Sequence, residues 1–267
     1  MLPALGFTQV YEDLFKAEQG SFYAKQKVKS KRSGGEYDLI YQKLNLTVDP
    51  STRNIFGNVY SELIALENGF TQFAYDLDDR MSVDSVLVNG ARTIYSHSND
   101  EVIIFPQGIL KDDRLSTTVY YKGDPSVNEQ KGFSYDFQKD GPIAWTLSEP
   151  YGAYGWWPCK QQLTDKIDSV DMQITIPPGN KAACLGLLKS VDTLNNDWLV
   201  YNWEHRYTTT TYLVALAVTN YYEESHYIHF KNGDSLFHTD YLYPAYKPAA
   251  DTLRRNIDGM MLLFDSL

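Results

Sequence analysis

The residues most able to do chemistry lie in one short stretch, residues 145–160, which reads WTLSEPYGAYGWWPCK. It holds three of the five tryptophans of the chain, and Glu149 is its only charged residue before Lys160. A carboxylate among aromatic rings loses hydration, so it needs a hydrogen-bonding partner. Glu149 is therefore either a buried structural acid bonded to N–H groups of a tight loop, or an acid held at the rim of a ligand site.

The five histidines do not form a site in the sequence. His226 and His229 are three residues apart, a spacing that places them on opposite faces of a strand. His97, His205 and His238 are isolated in the sequence. The motifs HExxH, GxSxG, GxGxxG and the P-loop are absent from it. The sequence therefore predicts no catalytic residue, no metal ligand and no cofactor in this chain.

The two cysteines, Cys159 and Cys184, do not form a CxxC pair, so they signal neither a zinc site nor a redox site. They either form a disulfide or are free, buried thiols, and free thiols are the commoner case for two cysteines in a chain of this length.

Composition excludes several classes of protein. A net charge of -10 argues against nucleic-acid binding, which needs a basic surface that displaces counterions. No apolar run approaches the roughly 20 residues of a membrane helix. The N-terminus lacks the basic region of a signal peptide. A secreted or periplasmic location and a cytoplasmic one both stay open. The 21 tyrosines favour β structure.

The segments at the two ends of the chain are predicted to be helical. Helical spacing of apolar residues predicts a helix over residues 9–29, which runs into a basic arm and ends the first region at residue 35. A second helix is predicted from Pro248, within a last region of residues 246–267. Its apolar side consists of Ala249, Leu253, Ile257, Met260, Met261 and Phe264.

Between these ends, residues 36–245 are predicted to form a β domain. Alternation of apolar and polar residues indicates strands, and Asn89-Gly90 is the strongest hairpin signal. No long helix interrupts the first half, which predicts an antiparallel sandwich. Residues 123–142 are predicted to be a polar connection. The predicted strands are 36–48, 55–66, 70–77, 81–88, 91–95, 102–105, 116–121, 168–176, 181–188, 198–206, 210–219, 221–230 and 235–243.

Several segments in order resemble the zinc aminopeptidases of the aminopeptidase N type, a gluzincin family. The loop of residues 148–166 resembles the signature loop of that family, through Ser148-Glu149-Pro150, Trp157-Pro158-Cys159-Lys160 and Asp165-Lys166. The strand ending at Pro177-Pro178, the segment 183–186 and the segment 212–218 resemble three further family segments. The resemblance spans residues 36 to about 243, and the tandem Trp156-Trp157 is similar to the secreted-bacterial branch.

Two positions depart from the family pattern. Ala153-Tyr154 stands where the family often has Ala-Arg, and Lys160-Gln161-Gln162 replaces the usual acid after Pro-Cys. These departures concern the details of the loop and the substrate preference rather than the fold.

The resemblance implies a mainly β, saddle-shaped and largely antiparallel sandwich-like domain with a helix at each end. Such a domain is the non-catalytic N-terminal part of a zinc metallo-aminopeptidase and caps its active-site cleft. Zinc and HExxH would lie in a following catalytic domain, so the chain alone would be inactive. Residues 246–267 would begin the helix leading to that domain. Glu149 would hold the free α-amino group of a peptide substrate.

A second hypothesis is a stand-alone β-sandwich module that binds peptide or carbohydrate, with the aromatic loop as a stacking platform. For Trp145, Trp156 and Trp157 the competing interpretation is ordinary core packing, which we expect for at least two of the three.

Overall fold

A computed structural model describes residues 35–126 and 132–266 of the chain. The helix predicted over residues 9–29 and the basic arm lie outside the described residues. Within them the protein is mainly β, as predicted. The described residues form seventeen strands in four sheets, and among them one α-helix, α1 (Ala250–Asp265), follows the last strand.

The largest sheet has eight strands in the order β13-β14-β11-β1-β2-β8-β4-β5. Its long strands alternate buried and half-buried residues, as expected for a sheet with one face in the core. Their bounds are β1 (Tyr37–Val48), β2 (Ile55–Ala65), β4 (Ser82–Val88), β5 (Ala91–Arg92), β8 (Arg114–Gly123), β11 (Ser169–Ile176), β13 (Leu187–Thr193) and β14 (Leu199–His205).

Three smaller sheets complete the fold. One has the order β3-β7-β6, one the order β12-β15-β10-β9, and the third is the hairpin β16-β17. Their bounds are β3 (Phe73–Asp76), β6 (Tyr95–Ser98), β7 (Glu101–Ile104), β9 (Phe133–Gln138), β10 (Gly141–Thr146), β12 (Lys181–Cys184), β15 (Leu216–Thr219), β16 (Tyr222–His229) and β17 (Ser235–Leu242).

The predicted hairpins are confirmed where turn residues separate alternating segments. β1 and β2 pair antiparallel from Tyr37 opposite Ala65 to Val48 opposite Ile55. Gly57 is required in β2 because its φ is +154° and a Cβ there would lie 1.9 Å from the carbonyl oxygen of Asn45. The turn Asn89-Gly90 joins β4 to β5, with Val88 opposite Ala91.

The sheet β3-β7-β6 packs on the eight-stranded sheet and closes a sandwich-like core. The Tyr37 hydroxyl donates to the Ala74 carbonyl at 2.8 Å, and the hydroxyls of Tyr75 and Thr117 are 2.8 Å apart. The rings of Tyr37 and Phe73 meet edge to face at 5.4 Å. Buried hydroxyls that find partners across two sheets hold the layers in one register.

One strand pairing was not predicted, and two details of the strand prediction are wrong. β1 and β11 pair in parallel, with Tyr41 opposite Ser169, and alternation carries no information on strand direction. The connection predicted at residues 123–142 contains β9 and the start of β10. Only the second half of residues 210–219 is a strand, because Thr211–Leu213 forms a 3-10 helix. A short apolar run does not distinguish strand from helix.

The strand predicted at residues 181–188 is divided between two sheets. β12 ends at Cys184, and β13 begins at Leu187 in the eight-stranded sheet. Gly186 makes the crossing with a φ of +102°, and a Cβ there would lie 2.4 Å from the Glu204 carbonyl oxygen. One residue with a left-handed backbone thus moves the chain from one layer to the next.

The C-terminal helix docks on the β16-β17 hairpin through polar contacts. His226 and Asp258 approach to 2.7 Å, and Arg254 donates to Glu224 at 3.1 Å. The helix follows a 3-10 segment, Pro244–Ala249, that includes Pro248. Met260, Leu263 and Phe264 are more than half exposed. No described helix has the length and apolar character that crossing a bilayer requires.

We expect stability to fall in alkaline solution because tyrosines are buried in the core. Burial raises the pKa of Tyr75 to about 12, and burial also raises the pKa of Tyr37 and Tyr121 well above the usual value. The stability that neutral Tyr75 contributes is complete below pH 10, its unfolded pKa. It is lost between about pH 10 and 12, at up to about 1.4 kcal/mol per pH unit.

Urea unfolding at pH 8 to 11.5 measures this loss. Tyr75→Phe is the control, because it keeps the ring and removes the titrating hydroxyl, so its stability should fall less steeply above pH 10. An equal slope in both proteins would contradict the assignment to Tyr75.

Candidate functional site

The loop that carries Glu149 leaves the end of β10 and turns back on itself at once. The Gly152 N–H donates to the Ser148 carbonyl at 2.7 Å, which closes the turn around Glu149 and Pro150. The Ser148 hydroxyl accepts a hydrogen bond from Trp156 Nε1 at 2.9 Å. The peptide bond between Glu149 and Pro150 is cis. These contacts define the course of the backbone on both sides of Glu149.

The second half of the loop belongs to the core. Every residue from 152 to 160 is buried, and a 3-10 helix spans Ala153–Gly155. The side chains of Trp156 and Trp157 have no exposed surface, so core packing of at least two tryptophans is confirmed. The Tyr121 hydroxyl donates to the Trp156 carbonyl at 3.0 Å. The backbone that follows the turn is thus packed into the hydrophobic core.

Glu149 is exposed, so the interpretation of a buried structural acid is wrong. Neighbouring Leu147 is 61% exposed, whereas Pro150 and Tyr151 are half-buried. The sequence was misleading because the aromatic residues near Glu149 turn inward while the acid turns outward. A carboxylate presented on a packed turn can accept hydrogen bonds from a ligand. The predicted role of Glu149 in substrate binding stays a prediction.

A buried ion pair fastens the end of this loop to the first strand. Lys160 is 2% exposed, forms an ion pair with Asp165, and donates to the Tyr37 carbonyl at 2.5 Å. Its ammonium nitrogen also lies 4.1 Å from the centre of the Tyr37 ring. Burial raises the pKa of Asp165, and the positive charge of Lys160 opposes that rise. The pair joins the loop to β1.

Both cysteines are free thiols, so the disulfide alternative is wrong. Cys159 is buried beside β3, where its backbone exchanges hydrogen bonds with Asp76 at 2.8 and 3.1 Å. Burial raises the pKa of both thiols, which keeps them protonated and unreactive near neutral pH.

The histidines are not all isolated. His226 and His238 lie opposite each other in the β16-β17 hairpin, with ring centres 5.3 Å apart. Sequence spacing could not show this, because the turn that joins the strands brings them together. Each ring contacts an aspartate, Asp258 and Asp240 respectively. Among the described residues no group of three or more His, Cys, Asp or Glu side chains could hold a metal ion.

A cavity of about 1100 Å³ opens beside this loop, between the sheet β12-β15-β10-β9, the edge of the eight-stranded sheet and the β16-β17 hairpin. Trp145 and Thr146, which immediately precede the Glu149 turn, line it. Sequence analysis missed this cavity because its walls come from segments distant in the chain. Its polar lining consists of Asp136, Gln138, Thr146, Glu223, Ser225 and Thr239.

No protein-family model matches the chain, and no curated protein matches it in sequence. Solved structures do match. The M1 zinc metallopeptidase of Deinococcus radiodurans, bound as a variant to a Tyr-Ser-Ala substrate, is 21% identical with a TM-score of 0.67. The alignment covers 77% of this chain and 48% of that one.

Two further structures extend the comparison. A two-domain M1 zinc metallopeptidase variant bound to L-arginine is 21% identical with a TM-score of 0.68, over 78% of this chain and 48% of that one. Yeast LTA4 hydrolase in complex with bestatin is 16% identical with a TM-score of 0.60, over 79% and 34%. The chain has the fold of M1 zinc metallopeptidase structures over about half of their length or less, an extent consistent with an N-terminal domain.

Proposed function

We propose that this chain is the non-catalytic N-terminal domain of a zinc metallo-aminopeptidase, that it caps the active-site cleft, and that Glu149 anchors the free α-amino group of peptide substrates. The observation that carries the proposal is the exposed carboxylate of Glu149 on a turn with a fully buried base. The likeness in fold to M1 zinc metallopeptidases supports it.

The chemistry of an amino-terminal anchor suits a glutamate. A protonated α-amino group offers three donors, and an ionised carboxylate accepts without donating. Charge-assisted hydrogen bonds are about twice as strong as neutral ones. The tryptophans that follow the turn are buried, which supports the backbone that presents the carboxylate. Fixing the amine places only the first peptide bond at the reacting centre, which would make the parent protein an exopeptidase.

The described residues do not fit a catalytic zinc site. HExxH is absent from the sequence, and the described part of the chain contains no cluster of three metal-ligating side chains. In the proposed parent protein the zinc, its water and a second acid that contacts the amine therefore belong to a following catalytic domain. Zinc there would polarise the scissile carbonyl and acidify its water.

The exposed apolar side of α1 supports a partner domain on that surface. Met260, Leu263 and Phe264 are each more than half exposed. Interfaces between domains of one chain commonly bury about 600–1,500 Å². We propose that the catalytic domain covers this surface. Residues 152–160 of the loop are buried by their own domain and are not part of this surface.

We expect the chain by itself to bind no catalytic zinc and to hydrolyse no aminoacyl substrate. Zinc content after dialysis and turnover of a chromogenic aminoacyl amide measure this directly. Stoichiometric, tightly held zinc together with hydrolysis that a chelator abolishes would contradict the proposal.

The alternative, a stand-alone module that binds peptide or carbohydrate, is favoured by one observation, the aromatic cavity beside the loop. The coding sequence downstream of Leu267 separates the two functions. An HExxH motif within about one hundred residues supports the aminopeptidase proposal. A stop codon directly after Leu267 would overturn it in favour of the module.

A further inference from the structure

The cavity beside the Glu149 turn has the composition of a site for cationic side chains. Six aromatic side chains line it, and two carboxylates, Asp136 and Glu223, are the only charged groups among the described residues of its wall. Aromatic faces and carboxylates both attract cations, and no lysine or arginine in that wall opposes them. The aromatic lining consists of Trp145, Trp203, Tyr221, Phe237, Tyr241 and Tyr243.

Four of these rings form a continuous series along the cavity wall. The ring centres are 6.3 Å apart from Trp203 to Tyr241, 5.9 Å from Tyr241 to Tyr221, and 5.7 Å from Tyr221 to the stacked Tyr243. An extended chain can lay successive side chains along such a series.

One donor in this wall has no partner. Trp203 is 7% exposed, and its Nε1 is buried without a hydrogen bond. A buried donor of this kind costs free energy until an acceptor arrives. A peptide carbonyl is such an acceptor, and it would reach this Nε1 only after the side chains that cover it move.

Glu223 already pairs with a cationic side chain of the protein itself, Lys181, which is outside the set of residues that line the cavity. Lys181 donates to Glu223 at 2.6 Å, and the two side chains are 35% and 28% exposed. Glu223 is therefore placed to pair with a lysine, and a cationic ligand would have to displace Lys181 from it. Asp136, in β9, is exposed, and its carboxylate accepts a hydrogen bond from the Phe137 N–H at 2.7 Å.

We propose that this cavity binds a lysine or arginine side chain of an extended peptide. The placement of the peptide's N-terminus at Glu149 rests on the proposed function. Glu149 follows Thr146 by three residues, which limits their Cα separation to about 11 Å. One extended residue spans about 3.3 Å, so a peptide anchored at Glu149 would place its second to fourth residues at the cavity. The parent enzyme would then prefer substrates with a basic residue there.

Calorimetric titration of this chain with short peptides tests the site. The probes are Ala-Ala-Lys-Ala, its analogue with norleucine in place of lysine, and the N-acetylated form of each. Norleucine keeps the apolar stem of lysine and removes the charge. We expect the lysine peptides to bind at least 10-fold more tightly than the norleucine peptides, with or without the acetyl group, and less tightly as salt increases.

Substitutions in the cavity wall test whether the peptides bind there. Glu223→Gln and Asp136→Asn should each weaken the lysine peptides several-fold and leave the norleucine peptides unchanged. Trp203→Phe keeps a ring and removes the N–H, so it should weaken both kinds of peptide. The matched control is Asp84→Asn, which neutralises an exposed aspartate paired with Lys122 on another strand. This variant should bind the lysine and the norleucine peptides with the affinities of the wild type.

The outcomes separate this inference from the anchor role of Glu149. If Glu149→Ala abolishes the advantage of free over acetylated peptides while lysine and norleucine peptides bind equally, the cavity inference is overturned and the anchor survives. If acetylated lysine peptides bind and substitution of Glu149 leaves the affinity of every peptide unchanged, the cavity site is supported and the anchor role is not. Binding of a glucose oligosaccharide with no preference for lysine would replace this inference by a carbohydrate site.

Discussion

Replacing Lys160 with methionine is expected to destabilise the chain by about 3–5 kcal/mol, the usual cost of removing one partner from a buried ion pair. The substitution keeps the apolar stem and removes the ammonium group. It leaves the Asp165 carboxylate, which is 12% exposed, without its cation, and it leaves the Tyr37 carbonyl without its donor. Denaturant unfolding at pH 7 gives the change in free energy.

An exposed ion pair provides the control. Lys122 and Asp84 are 2.8 Å apart and about half exposed, so Lys122→Met should change the free energy of unfolding by less than about 1 kcal/mol. The double variant Lys160→Met, Asp165→Asn should recover part of the loss, because no buried charge remains uncompensated. A cost below 1 kcal/mol for Lys160→Met would contradict the buried pair.

The second large effect is expected in the full-length parent protein, where Glu149→Ala should lower kcat/KM by roughly 10- to 150-fold. This corresponds to about 1.5–3 kcal/mol, the scale of a hydrogen bond to a charged group. The side chain is exposed, so the denaturation midpoint should stay within error of the wild type.

Leu147→Ala is the matched control for this loop. Leu147 is 61% exposed and two residues from Glu149, and its loss disturbs the same turn without removing charge. Its kcat/KM should stay close to that of the wild type. An equal loss in both variants would indicate that the turn, rather than the carboxylate, supports activity.

Strand content could be predicted where the local sequence determines it. β1 and β2 show alternation and a turn between them, and Asn89-Gly90 forces a tight reversal. The parallel pairing of β1 with β11 could not be predicted, because it depends on contacts between segments more than a hundred residues apart. β9 could have been found, since Phe133, Tyr135 and Phe137 alternate with polar residues in a segment that we predicted to be a connection.

The candidate site, too, could be predicted only in part from the sequence. The composition of the 145–160 stretch identified the loop, and burial of Trp156 and Trp157 agrees with ordinary hydrophobic packing. The exposure of Glu149 follows from the direction of the turn, which local composition does not determine. The turn of the β16-β17 hairpin brings His226 opposite His238. The cavity with Trp203 in its wall arises only when distant strands meet.

The central claim is that Glu149 binds the free α-amino group of a peptide, and discrimination against N-acetylated peptides measures it most directly. In the full-length parent protein, kcat/KM for a free peptide divided by kcat/KM for its N-acetylated form should be large for the wild type. We predict that Glu149→Ala reduces this ratio at least 10-fold, mainly by lowering the rate on the free peptide, in a protein that remains folded. A ratio that is unchanged in the folded variant would contradict the claim.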